Sequence, residues 1–357
     1  MWLKLRKSAI LFIALIPVIC IHCNKDNTTQ IAFYYWRTNY VLNQTEQQII
    51  RDNNVNTLYI RYFDVDLSNP DSLAVPVAII NFTQKPDVKK IIPVIFIKNK
   101  VFTKGKTNTQ QLAAQLNTLV NAINKQQALA ITEIQVDCDW SDSSRDSFMQ
   151  FINYFKIIGA KTISATIRLH QVKYHKITLI PNVDYGVLMY YNMGDVNNLS
   201  ENSIYNKKTA DKYISALSNY PLKLKIALPI YSWAVQIRKG QIINLVNKID
   251  FKVLNSSPHF IKTSDNLYVV KNSCFFSGFY FVKDDQLKIE LINFSDIKQM
   301  ASDINNNLKY KPEEVIFFDL DSANFNNLNH ETNFKKISDC FYHHHYFQWH
   351  YLGLLVR

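Results

Sequence analysis

Along residues 131–141 the side chains alternate, with Glu133, Gln135, Asp137 and Asp139 on one face and Ile134, Val136, Cys138 and Trp140 on the other. Successive strand side chains point to opposite faces, so the pattern predicts a strand with an apolar back and a polar row that carries two carboxylates. A helical stripe follows at once, Phe148, Phe151, Ile152 and Phe155, stopped by Gly159. A strand that feeds directly into a helix is the unit of a parallel sheet packed under helices.

The same rhythm runs through the chain. Stretches rich in β-branched and aromatic residues at 30–37, 57–66, 91–98, 162–169, 185–193, 224–229 and 314–319 predict seven further strands. Capping-box spacing at Thr45 and Gln48, and again at Thr107 and Gln110, predicts helix starts, the second ahead of a stripe of Leu112, Leu116, Leu119, Val120 and Ile123. A helix from Asn206 carries Ala210, Tyr213, Ile214 and Leu217 and stops before Pro221; another, capped by Ser295, carries Ile297, Met300, Ala301, Ile304 and Leu308. Residues 231–293 break the rhythm with short alternating runs, which predict a small β-rich insertion. The fold class is therefore α/β, a (β/α)8 TIM barrel with the insertion after strand seven: barrel at 30–230, insertion at 231–293, completion at 294–330 and a tail at 331–357. An open doubly wound sheet competes, but the chain has no Gly-rich phosphate loop.

Residues 1–23 have a positive start (Lys4, Arg6, Lys7), an apolar run over 9–21 and then Cys23, the layout of an export signal. A cysteine after the apolar run, with a polar tether at 24–29, resembles a bacterial lipoprotein signal lipidated at Cys23, although His22 stands where a small residue is expected. An uncleaved apolar anchor is the alternative. Both readings place the chain outside the cytoplasm, held to a membrane of the bacterial cell envelope.

At 357 residues and 47% hydrophobic content the chain has ample core and is not disordered. Its formal charge of +11 is scattered without a dense basic block, which argues against nucleic acid as a partner. Cys138, Cys274 and Cys340 imply no disulfide framework, and Cys138 reads as a buried thiol. Adjacent His343, His344 and His345 lack metal-ligand spacing, so neither metal nor cofactor is expected.

Asp137-Cys138-Asp139-Trp140-Ser141 resembles the Asp-x-Asp-x-Glu end of the signature of family 18 glycoside hydrolases, the chitinase-like barrels. Met189-Tyr190-Tyr191-Asn192 is similar to that family's Met-x-Tyr-Asp/Asn, and Leu228-Pro229-Ile230-Tyr231 resembles a further recurrent segment, followed by an insertion at the same place. The chain is also similar to uncharacterised bacterial barrel lipoproteins. The resemblance, over most of 30–325, implies an N-acetylhexosamine-containing glycan as partner, with Asp139 orienting its acetamido group and Tyr191 and Asn192 touching it. Ser141 occupies the place of the family's general-acid Glu, and Ile134 that of its first Asp. Serine cannot protonate a glycosidic oxygen.

Two routes restore an acid. Asp142 swings into place, or Asp137 and Asp139 share a proton because close carboxylates do not both ionise cheaply. Asp319 and Asp321 at the end of strand eight form a second carboxylate set, suited to ordinary acid/base glycosidase chemistry or to salt bridges with Arg61 or Arg168. Trp36, Met189, Tyr231, Trp233 and Arg168 complete the substrate candidates, because aromatic faces pack on sugar rings and polar groups bond hydroxyls. Tyr35, Tyr62, Tyr190, Arg37 and His170 also fall near strand ends, while Trp140 belongs on the helix side if Asp139 faces inward. Three functions stay open: a glycosidase, a non-catalytic glycan-binding or cell-envelope protein, and a protein-interaction role centred on the insertion.

Overall fold

The structure, a computed structural model, describes residues 28–68, 72–104, 107–159, 161–329 and 331–341. The expected export signal with Cys23 and the histidine run at 343–345 lie outside the described residues.

The first seven barrel strands are β1 (Gln30–Tyr35), β2 (Thr57–Leu67), β3 (Lys90–Ile97), β4 (Glu133–Asp137), β5 (Thr162–Arg168), β6 (Tyr185–Met189) and β7 (Leu224–Pro229). The insertion then contributes β8 (Trp233–Arg238), β9 (Gln241–Asn247), β10 (Phe260–Ser264), β11 (Leu267–Val270), β12 (Cys274–Phe276), β13 (Phe279–Phe281) and β14 (Gln286–Glu290). Strand β15 (Glu314–Phe318) pairs in parallel with both β1 and β7, and β1 pairs in parallel with β2, so eight parallel strands close a ring. The fold is a (β/α)8 barrel. The insertion is an antiparallel five-stranded sheet, β9-β8-β14-β11-β10, with the hairpin β12–β13 beside it.

The helix layer is irregular. Helices α1 (Gln44–Asp52), α2 (Thr109–Gln126), α3 (Arg145–Gly159) and α4 (Phe294–Asn307) pack outside the ring, whereas between β2 and β3 the described chain forms an antiparallel arm, Ala74–Val77, on β2. The helix expected from Asn206 is a single turn, Lys207–Ala210, and then a 3-10 segment, Ile214–Asn219.

Three helix starts shift from their expected caps. Helix α1 is capped by Asn43, which accepts from the Glu46 amide at 3.0 Å while Glu46 accepts from the Asn43 amide at 3.1 Å. Thr45 and Gln48 have the same spacing but lie inside the helix. Asn108 caps α2, because the Thr107 hydroxyl is taken by the Val101 carbonyl at 2.7 Å. Asn293 caps α4 in a box with Asp296, and Ser295 donates to the Asn293 side chain. Asn293→Ala should lower unfolding free energy by about 1 kcal/mol in chemical denaturation, with Ser295→Ala near neutral.

Inside the ring, polar side chains bond to one another and fill the amino-terminal end. Lys225 reaches Glu314 at 3.0 Å and the hydroxyls of Tyr59 and Tyr185 at 2.9 and 3.1 Å, and Glu133 takes Lys90 at 2.5 Å as well as Tyr185. Gln135 accepts from Tyr34 at 2.8 Å. Two members of the polar row on β4 thus serve structure, leaving Asp137 and Asp139 at the open end. Outside the ring, Phe33, Phe317, Phe325 and Phe334 form an aromatic cluster, with Phe317 and Phe334 centred 4.4 Å apart.

The insertion has its own core around Val246, Leu254, Val270, Phe281 and Leu287. A fully buried ion pair, Lys288 with Glu290, ties it to the barrel. Lys288 donates to the Asn198 carbonyl at 2.7 Å, and Glu290 accepts from Ser203 at 2.5 Å and from the Trp233 indole at 2.6 Å.

Candidate functional site

The carboxyl ends of the barrel strands surround a cavity of about 350 Å³. Its walls include Trp36, Arg37, Phe96, Asp137, Asp139, Arg168, Met189, Tyr191, Asn192, Tyr231, Trp233, Phe318, Asp319 and Asn324, while Asn247 and Lys248 reach in from the insertion. In a (β/α)8 barrel this is the end at which sites are built.

Asp137 ends β4, is 6% exposed and accepts from the Thr166 hydroxyl at 2.7 Å. Burial first, and then the negative charge of Asp139, push its pKa up to about 7. Asp139 is engaged differently. Its two oxygens accept from Nε and Nη2 of Arg168 at 2.6 and 2.5 Å, a bidentate pair fixed by the planar guanidinium. Burial works against the charge on Arg168, but the hydrogen bonds to Asp139 and its field outweigh it and hold the pKa above the ordinary value.

Neither Ser141 nor Asp142 lines the cavity. Ser141 is turned into the start of α3, where its hydroxyl meets Asn99 at 3.1 Å and Ser143 at 3.0 Å. Asp142 is exposed on the same turn, so the shifted carboxylate stands outside the cleft. One residue of shift in extended chain is enough to send it there.

An aromatic strip crosses the mouth. Ring centres run from Trp36 to Phe318 at 5.1 Å, to Tyr191 at 5.7 Å, to Tyr231 at 6.0 Å and to Trp233 at 5.4 Å. Asn192 takes a left-handed backbone with φ 53°, which asparagine tolerates, and its side chain accepts from the Tyr231 hydroxyl. Met189 lines the cavity beside Arg168 and also borders a smaller adjoining hollow of about 200 Å³ with His170 and Tyr213. Burial lowers the pKa of His170.

The strand-eight carboxylates separate. Asp319 is 8% exposed, lines the cavity and accepts from Asn324 at 2.7 Å. Burial, then the charge of Asp321, raise its pKa to about 6. Asp321 is outside the lining: it caps the helix Ser322–Asn327 through the Ala323 amide at 3.0 Å and pairs with Lys248 of the insertion at 2.5 Å, not with Arg61 or Arg168. Arg61 instead pairs with Asp64 and lies 5.6 Å from the Trp36 ring.

Tyr35, Tyr62 and Tyr190 are buried outside the cleft wall, Tyr62 against Asn124 of α2. Trp140 stacks on Phe148 of α3 at 4.7 Å, on the helix side. Arg37, noted near a strand end, does line the cavity, whereas Phe96, Phe318, Asn247, Lys248 and Asn324 were not singled out by sequence reasoning. Phe96 stands opposite Asp137 in the strand register and Phe318 ends β15, so both were readable from position; the insertion residues carried no signal.

No family model and no curated protein matches the chain. Among solved structures it is similar to a chitinase-like agglutinin from Robinia pseudoacacia, at 13% identity over 87% of this chain and 99% of that one, with a TM-score of 0.47. It is similar to a GH18 chitinase from Cycas revoluta in complex with (GlcNAc)3, at 14% identity over 88% of this chain and 100% of that one, TM-score 0.46. A xylanase and alpha-amylase inhibitor protein from Scadoxus multiflorus also aligns, at 11% identity over 88% and 98%, TM-score 0.38. At these identities the likeness is one of overall fold.

Proposed function

We propose that the cleft is a glycan-recognition site, selecting N-acetylhexosamine-containing oligosaccharides without the hydrolysis that the Asp-x-Asp-x-Glu signature performs, on a protein exported and membrane-anchored through residues 1–23. The observation that carries the reading is the bidentate Asp139–Arg168 pair together with the displacement of Ser141 and Asp142 from the cavity. A carboxylate held by a guanidinium is poorly placed to orient an acetamido group, and no acid stands where the family's Glu would. What the cavity keeps is binding equipment: the aromatic strip offers faces to sugar rings, and Asn192, Asn324 and Asp319 offer groups to hydroxyls.

A second reading has its own observation. Asp137 and Asp319 line one cavity, and burial raises both pKa values into the range of a working general acid. Such a pair suits an acid/base glycosidase of a different plan.

Calorimetric titration with N-acetylglucosamine oligomers, beside a chromogenic glycoside assay, separates these. Binding without turnover is expected, with affinity lowered at least about tenfold by Trp36→Ala, roughly 1.4 kcal/mol. Turnover abolished by Asp137→Asn or by Asp319→Asn would establish the second reading. Absence of binding to any oligomer would overturn both and favour the interaction role.

A further inference from the structure

The opposite, amino-terminal end of the barrel carries a cavity of about 480 Å³, larger than the cleft and unrelated to it. Leu217, Leu222 and Leu308 give it an apolar wall, and Lys223, Lys309 and Lys311 line it as well. Lys223 and Lys309 have no carboxylate partner among the described residues, and Glu313 is the acid facing them, since Asp184 pairs with Lys156 at 2.9 Å and Lys225 with Glu314 at 3.0 Å. Tyr310 stands 65% exposed at the rim with the Lys309 ammonium 5.1 Å from its ring centre. Lysine and tyrosine beside an apolar wall is the composition found where protein meets the headgroup layer of a bilayer.

The chain's entry point lies at the same place. The Thr29 hydroxyl bonds the Pro312 carbonyl at 3.0 Å and the Gln30 amide bonds the Glu313 carbonyl at 2.9 Å, so Thr28 enters beside the 310–313 segment that lines the cavity. Anchored at Cys23, the chain reaches Thr28 in five residues, about 18 Å at full extension; anchored by the apolar run ending at residue 21, in seven, about 25 Å. Full extension is the upper limit in both cases, so either attachment lets this end of the barrel come within one screening length of the bilayer surface, about 8 Å in physiological salt.

We propose that the amino-terminal end of the barrel is a membrane-docking face, and that its lysine-rimmed cavity takes the headgroup of an anionic glycerophospholipid. Neither anchor by itself sets how the barrel is turned, and a basic surface attracted to anionic lipid fixes that orientation. Docking in this way also directs the glycan cleft, at the other end of the barrel, away from the membrane.

The test is amide hydrogen exchange on the full chain, reconstituted in phosphatidylcholine vesicles with or without phosphatidylglycerol. Exchange in residues 308–313 and 220–223 should slow by roughly tenfold when the anionic lipid is present. Lys223→Glu with Lys309→Glu should abolish that protection while the barrel strands keep theirs, which shows that the variant is folded. Equal exchange in the two vesicle types, or protection that survives the double charge reversal, would overturn the proposal. So would equal protection by soluble glycerol phosphate without vesicles, which would assign the cavity to a small phosphate ligand.

Discussion

Glu290→Leu should lower the unfolding free energy by about 3–5 kcal/mol, read as the midpoint shift in urea. Glu290 and Lys288 are both fully buried, and the Glu290 carboxylate is the anion paired directly with the ammonium, Asp195 feeling the Lys288 charge only from a distance. Removing it leaves Lys288 hydrogen-bonded to the Asn198 carbonyl without an ion-paired carboxylate, a buried charge that has lost its direct partner. The double variant Lys288→Met/Glu290→Leu should recover most of that loss, because replacing both ions with apolar groups of similar size removes their desolvation cost together with their attraction. Glycan binding separates the roles. Trp233 donates its indole N–H to Glu290 at 2.6 Å, so both variants release the outer end of the aromatic strip and should bind oligosaccharide several-fold more weakly than the parent. A double variant as unstable as the single one would show that Lys288–Glu290 is not coupled as drawn.

The barrel was legible because its signal is local and repeated: each strand is a short β-branched or aromatic run, and most are followed by a periodic stripe. It failed where local patterns compete. Asn43 and Asn293 each win a cap two residues ahead of the Thr or Ser expected and Asn108 one residue after Thr107, since asparagine caps as well as serine or threonine. Between β2 and β3 no periodic stripe exists, and the described chain folds as an antiparallel arm. The cleft was half legible. Strand alternation placed Asp137 and Asp139 inward and Trp140 outward, and position at a strand end selected Tyr191, Tyr231 and Asp319. Pairing was not readable, because it is settled across the fold: Asp139 meets Arg168, 29 residues away on β5, and Asp321 meets Lys248, 73 residues away in the insertion.

Asp137→Asn should stabilise the protein at pH 8 and leave its stability unchanged at pH 4. Burial raises the folded pKa of Asp137 from an ordinary 3.8 to about 7, so the folded chain keeps a proton that the unfolded chain releases above about pH 4. Between pH 4 and 7 the unfolded state therefore binds fewer protons than the folded one, and stability falls as pH rises through that window. At about 1.4 kcal/mol for each pKa step the full penalty is up to about 4 kcal/mol, and a realised gain of about 2–4 kcal/mol for the asparagine at pH 8 follows. Asp319, raised to about 6, adds to the parent's decline over the lower part of the same range and is untouched by the substitution. Asparagine keeps the acceptor for Thr166, so packing is preserved. The same proton matters to the cleft. Under the proposed glycan-binding reading, a neutral Asp137 would donate a hydrogen bond to a sugar oxygen below pH 7 and lose that donor above it, so parental glycan affinity should weaken from pH 6 to pH 8. Asparagine carries its donor at every pH, and its affinity profile should be flat. Equal stabilisation at pH 4 and pH 8 would trace the effect to packing instead of to the proton, and a parental affinity that does not change with pH would remove Asp137 from the contact with the glycan.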